Sequence, residues 1–569
     1  MKYQTNPLVS KTADLQSIVE KLKPYYLPGR DFSVETGSLE LAAEGREITT
    51  GIEAFSAEFD DSKLRHLLTR TTFCSSKEQI DLLSGRSLNE VVDELLQPID
   101  MPQPPLAFTD RDPDVSKGET WVNSSRSIDS TSNTLRLTSL FSWWTGHMLN
   151  TKAHIREKMV LFWHNFLVTE SEVIKDARVV YDYVNRLRLN ALGNYQTLIE
   201  EITINPAMLR YLNGDQNDRS NPNENYAREL FELFTIGKGP QIADGNYTHY
   251  QEQDVREAAR ALTGWTTDFD TISSNFRPGQ HDNGVKTFSD SLGNVSIENQ
   301  GSEEYRALIQ LIFEQRETAR ALCRKLYRWF VYYDIDDFTE SEVIEPLATI
   351  LIQNQFEIVP VLRALLSSEH FYDYENIGVM VKSPVDYLLG LVSNAGLPVS
   401  PGTDIEDTYN FWIEIYRNIR LQDMTIGSPP SVAGWPSYHQ EPFFYRNWLN
   451  SVTLPFRQAS SKFLLLEGIR VGPVVAKIDT VLLAQEVPDS GNPDLLINEL
   501  VKVFFSRPLS QAELEGYKEV LRPGLPDFEW TVEWADYLNE PTPQKEQAVR
   551  SKLDALMDAI INSPQYQLQ

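Results

Sequence analysis

The sequence predicts a mainly α protein, a large multi-helix globular array with a small β-hairpin insertion near residues 276–288. Three observations carry that prediction. From Asp60 onward, apolar residues recur mostly at helical spacing and seldom alternate. Helix-start and helix-stop residues frame several of those runs. One Asn-Gly pair, Asn283-Gly284, stands between short extended patterns at 276–282 and 285–288, the strongest short hairpin signal a sequence can offer.

Residues 1–58 read as an N-terminal extension, with a short helical pattern around Asp14–Leu22 and a Pro/Gly break at Pro24–Arg30. The helical period then takes over with Leu64, Leu67 and Leu68 and a second run at Leu88–Leu96, before a Pro-, Asp- and Ser-rich loop at 98–134. Between Ile155 and Leu167, one side holds Ile155, Met159, Phe162 and Phe166, with Val160, Trp163 and Leu167 beside them. So broad an apolar surface predicts a helix buried on most sides. Asn221-Pro222-Asn223-Glu224 offers an asparagine cap, a proline at the first position and a glutamate at the third, predicting a helix from 222 to Gly237. Another is expected from about Gln253 to Gly264 through Val255, Ala258, Ala259 and Leu262.

After the hairpin, helices are expected at about 302–333, 340–352, 356–368, 382–395 and 407–421. The loop 428–436 should be pinned to the core by Trp435. A final helical region, 461–569, is broken near Pro473, at 488–493 and at 523–526. The expected domains are therefore the extension 1–58, a main helical domain 59–460, and a C-terminal helical region 461–569 packed on it.

Composition excludes several functions. With 52 basic against 81 acidic residues the net charge is −29, which repels nucleic acid unless a local basic stripe opposes it. The densest basic stretch, Arg316 to Arg328, is interrupted by apolar residues at helical spacing. No run approaches the ~18 apolar residues of a membrane span, so insertion is not expected. Two distant cysteines, Cys74 and Cys323, exclude a disulfide scaffold and a Cys-x-x-Cys pair. If Met1 is the native start the protein is expected in the cytoplasm; had a leader been removed, it would be exported.

Several segments together resemble the bacterial family catalogued as domain of unknown function 1800. The matching stretches are Arg-Glu-Lys-Met-Val-Leu-Phe-Trp-His-Asn (156–165), Asn-Pro-Ala-Met-Leu-Arg-Tyr-Leu (205–212) and Asn-Glu-Asn-Tyr-Ala-Arg-Glu-Leu-Phe-Glu-Leu-Phe (223–234). They continue with Asp-Val-Arg-Glu-Ala-Ala-Arg-Ala-Leu-Thr-Gly-Trp (254–265), His-Asp-x-Gly-x-Lys-Thr-Phe (281–288), Val-Lys-Ser-Pro-Val (381–385) and Val-Ala-Gly-Trp-Pro (432–436). The resemblance implies a helical fold and little about activity. It also implies a neighbour from a second family, 1501, similar to phosphatases and sulfatases, as a candidate partner. The chain departs from the family's usual pattern at Phe166, where a second histidine is usual, and at Gln251 in Tyr250-Gln251-Glu252. The first departure weakens a histidine-pair metal site on that helix.

Three constellations could carry chemistry. His164 and Glu157, seven residues apart, lie within ~20° on one helix face and ~10 Å apart along it, framing a polar groove or marking a paired core histidine. Glu224, Arg228 and Glu232 form an i, i+4 ladder that is either a solvated face or a carboxylate cluster facing a cavity. His281 and Asp282, with Lys286 across an exposed hairpin tip, could form an acid–base or anion site or could equally order the hairpin. An enzyme or ligand-binding reading gathers these as catalytic candidates His164, Glu224, Arg228, His281, Asp282 and Lys286 in one pocket. A divalent metal such as zinc, iron or manganese would then be held by His164, Glu224, Asp254 and His281. The alternative is a non-catalytic partner or scaffold protein acting with the family 1501 neighbour, or a glycan-binding protein using its 11 tryptophans and 24 tyrosines. The usual zinc-hydrolase, serine-hydrolase, phosphate-loop and dinucleotide motifs are missing.

Overall fold

A computed structural model describes Lys21 and residues 48–127, 129–243, 246–402 and 404–569. Apart from Lys21, the helical pattern expected at Asp14–Leu22 lies outside those residues. Helices dominate, joined by short two-stranded antiparallel hairpins, so the chain is mainly α. Among the described residues no helix is long and apolar enough to cross a membrane.

One apolar core runs from Leu64 to Tyr566. Near its centre lies the Arg156–Phe166 helix, every side chain of which from Glu157 to Phe166 is buried, as its all-round apolar pattern requires. Flanking it are the Ser130–Asn150 and Ala177–Leu189 helices, and Ser130–Asn150 in turn packs along Ile405–Leu421. The Thr453–Leu466 helix crosses the expected 460/461 division, and Pro543–Ile561 packs on it. Trp435 is buried and so are both cysteines.

Three local expectations need correction. The 222–237 helix is Glu224–Glu232, capped by Asn223, whose side chain accepts from the Asn225 amide. Asn221 is instead held in a turn by Asp218 (3.0 Å), while Asn217 Oδ1 accepts from the Asn223 amide at 2.8 Å; this fixes Pro222 outside the helix. The 302–333 run is two helices, Glu304–Phe313 and Arg316–Phe330, because Gln315 takes extended backbone.

Small hairpins do occupy the region around 276–288, but Asn283-Gly284 does not join their strands. Ser273–Phe276 pairs backward with Trp265–Asp268, and Lys286–Thr287 pairs forward with Ser296–Ile297. The linking segment is claimed by side chains: Arg260 clasps Asp282 at 2.9 and 3.1 Å, and Asp282 Oδ1 accepts from the Gly284 amide at 2.8 Å. A Cβ on Gly284 would lie 2.5 Å from Arg260 Nη2, so glycine serves there for close approach rather than for a hairpin turn.

Candidate functional site

The residues expected to share one pocket occupy separate networks. Asp254 is the third residue of a capping box and fully buried; its carboxylate accepts from the amides of Gln251 (2.7 Å) and Ser289 (2.6 Å) and from Ser289 Oγ (2.7 Å). Its oxygens are committed to joining the 252–261 helix to the 289 turn. Arg228 lies on the protein surface between Glu252 (2.6 and 3.1 Å) and Glu224 (3.0 Å), with Glu232 at 4.0 Å. That is a part-exposed ion-pair lattice bridging two packed helices, and its hydrogen bond to Glu252 raises the Arg228 pKa.

His281 and Lys286 do come together, around a residue not singled out from sequence. Glu304 is fully buried; its Oε2 lies 3.0 Å from His281 Nε2 and its Oε1 2.5 Å from Lys286 Nζ. The other imidazole nitrogen faces the Thr263 carbonyl at 2.9 Å, and Lys286 also donates to the Asp282 carbonyl. His281 and Lys286 are each 1% exposed or less, so the exposed tip expected here is a buried triad beneath the loop. Glu304 opens an amphipathic helix and reads in sequence as a solvated first-turn acid; only the loop folded over it reveals its role.

Glu157 and His164 are likewise buried and do not frame a groove. Arg188 grips Glu157 at 2.8 and 2.9 Å, and Trp144 Nε1 donates to it at 3.0 Å. Burial works to raise the Glu157 pKa, but the Arg188 charge and hydrogen bonds override it and hold the carboxyl low. His164 lies between the rings of Trp144 and Trp435, its Nε2 accepting from the Gly427 amide at 3.0 Å. Among the described residues no group of three or more histidine, cysteine or acidic side chains could hold a metal. His164, Glu224, Asp254 and His281 are not brought together: each is bound to different partners.

Burial lowers the His164 pKa to about 3. An unfolded histidine titrates near 6.5, so between about pH 6.5 and 3 the unfolded chain binds a proton that the folded ring refuses. Stability then falls as pH falls through that window, and this contribution is flat above it. His164→Gln is expected to retain the Gly427 contact and to show a shallower loss of urea midpoint between pH 7 and pH 4. An unchanged slope would place the acid sensitivity on other histidines, such as half-buried His147, lowered to about 4.

What the structure does assemble is a clamp at the end of the 156–166 helix. The segment 427–439 is fixed by Gly427 to His164, by the Trp435 amide to Asn165 Oδ1 (2.8 Å), and by the Gly427 carbonyl to the Ser171 amide (3.1 Å). On the outer side of this clamp, Lys325 Nζ lies 4.4 Å from the centre of the Phe166 ring. The Lys325 side chain is half-buried; burial, helped by the Arg328 charge, lowers its pKa to about 8. His439 is near enough to feel the Lys325 charge, its own pKa lowered by burial and then by that charge. Sequence reasoning missed both residues. Lys325 reads as one of several cations in the 316–328 run, and His439 as an isolated loop histidine.

A mainly helical array in which two of the matching segments, 156–165 and 432–436, meet at one helix end is the class of protein that the fold defines. The family model described as Protein of unknown function (DUF1800) matches residues 66–568, and the chain belongs to that family. No curated protein and no solved structure matches it.

Proposed function

We propose that this chain is a ligand-binding protein whose site is the Lys325 amine on the face of Phe166, with His439 nearby, and that its ligand carries a carbonyl or carboxylate group. The observation that carries the reading is a half-buried amine packed on an aromatic ring; the Lys325 charge also lowers the His439 pKa. An amine titrating near 8 is partly neutral at pH 7, which allows it to add to a carbonyl; its protonated form pairs with a carboxylate. His439, neutral in the same range, can accept a proton from either. A metal-dependent version of the reading has no donor group to rest on among the described residues.

Selective acylation tests it. Trace acetic anhydride, read by mass spectrometry across pH 6–10, is expected to label Lys325 with an apparent pKa near 8 and roughly ten times faster at pH 7 than a solvated lysine of pKa near 10.4. Small keto acids and aldehydes should protect it, and borohydride should trap any imine. A Lys325 rate indistinguishable from surface lysines, with no protection by any compound, would discard the site.

A second reading has its own observation. Phe528, Val532 and Ala535 form an exposed apolar stripe along the Asp527–Asn539 helix, with exposed Leu525 just before it; Phe528 is 60% and Val532 62% exposed. That favours a protein partner, for which the family 1501 phosphatase-like neighbour is the first to try. Co-purification that Phe528→Glu/Val532→Glu abolishes would support it. A glycan surface finds less support, because every tryptophan is buried or partly buried.

A further inference from the structure

A small cavity, of about 20 Å³, lies between the Asp61–Thr71, Pro384–Asn394 and Pro493–Phe504 helices. Two cations line it, Lys382 and Arg65, together with Thr69, Thr72, Ser75 and Asn394. Lys382 is 5% exposed, and its Nζ rests 3.8 Å from the centre of the Tyr566 ring. Arg65 is half-buried and held in place by its Nη1, which donates to the Ser75 carbonyl at 2.8 Å. Ser75 Oγ accepts from Asn394 Nδ2 at 3.3 Å, which leaves its own hydrogen available. Among the described residues neither cation forms an ion pair. Asp386 lines the same cavity one helical turn from Lys382, but Lys158 takes its Oδ1, and Ser383 Oγ donates to its Oδ2 at 2.8 Å.

Burying a cation without a counter-charge is costly. In a chain of net charge −29, carboxylates are plentiful, so two unpaired cations on one cavity mark a place for an anion from solution. We propose that this cavity binds one small monovalent anion of halide size, held by the Lys382 amine, the Arg65 guanidinium and the Ser75 hydroxyl. Volume sets the size: about 20 Å³ holds roughly one or two water-sized groups, enough for chloride and too little for phosphate. Burial pushes the Lys382 amine down to about 7, with Asp386 opposing and Arg457 adding to the shift. Of the other groups around it, Lys158 is tied to Asp386, and burial holds the Tyr566 hydroxyl well above its ordinary value. Burial lowers Arg65 only to about 10. The Lys382 amine is therefore the group that gates the anion near neutral pH, and binding takes up a proton above pH 7.

The experiment titrates the full chain with chloride in gluconate buffer at constant ionic strength, reading the chloride NMR line width. Excess broadening from bound chloride is expected to saturate, and to vanish in Lys382→Met, whose side chain has similar length but no charge. Arg65→Gln should weaken binding roughly tenfold, the value of one charged hydrogen bond. Wild-type affinity should be roughly tenfold lower at pH 8 than at pH 6, because only the protonated amine is competent. Broadening that stays linear in chloride would overturn the proposal. Saturable broadening that survives both substitutions would also overturn it, by assigning the ion to surface arginines. If Lys382→Met does not fold, a wild-type affinity flat between pH 6 and 8, with Arg65→Gln unchanged, is the overturning result.

Discussion

Glu304→Ala is expected to cost about 3–5 kcal/mol of folding stability, the range for removing one partner of a buried ion pair. The native carboxylate meets both His281 and Lys286, and all three side chains are at most 1% exposed. Removing it leaves an ammonium in the interior with no carboxylate, and solvent reaches it only if the 281–287 segment detaches. Glu304→Gln, which retains acceptor capacity but loses charge, should fall between wild type and alanine. Replacing all three by apolar residues of similar volume should recover most of the loss, because the desolvation cost disappears with the charges. Urea titration with far-UV circular dichroism measures each. A loss below about 1 kcal/mol for Glu304→Ala would mean that water already screens the triad.

Gly427→Ala is the second large effect. Gly427 has φ +90°, and a Cβ there would lie 2.0–2.1 Å from atoms of the Phe141 ring. Backbone strain of about 1–3 kcal/mol adds to an overpacking cost of about 1–3 kcal/mol. The same residue donates to His164 and accepts from Ser171, so relieving the clash by moving the backbone breaks the clamp. A drop of roughly 2–6 kcal/mol is expected in urea titration. With it, the Lys325 acylation rate should shift toward that of a solvated lysine, because the 427–439 segment that places His439 is no longer fixed. Wild-type stability in this variant would refute the role given to the clamp.

The location of the helices was legible in sequence because their evidence is local. Apolar period marked the 156–166 helix and its burial on every side, and cap residues marked approximate starts. Boundaries were less legible where a distant atom competed for a local group. Asn217 and Asp218 moved the 224–232 helix start by two residues, and Arg260 took the Asp282 carboxylate that borders the expected hairpin turn. The candidate residues do not meet in one pocket for a related reason. A histidine, a glutamate and an aspartate spaced along a chain carry no information about which way they will face once folded.

By itself, then, the sequence determined that this is an acidic, mainly helical chain of the DUF1800 family, without a spanning helix among its described residues. Those properties follow from composition and from patterns a few residues long. Only the tertiary structure decided that Asp254 caps, that Glu304 unites His281 with Lys286, and that Lys325 lies on Phe166 with His439 near enough to feel its charge. Each of those outcomes depends on burial and on a partner from another element. A side chain's desolvation and its counter-charge are fixed by packing, and no local spacing encodes them.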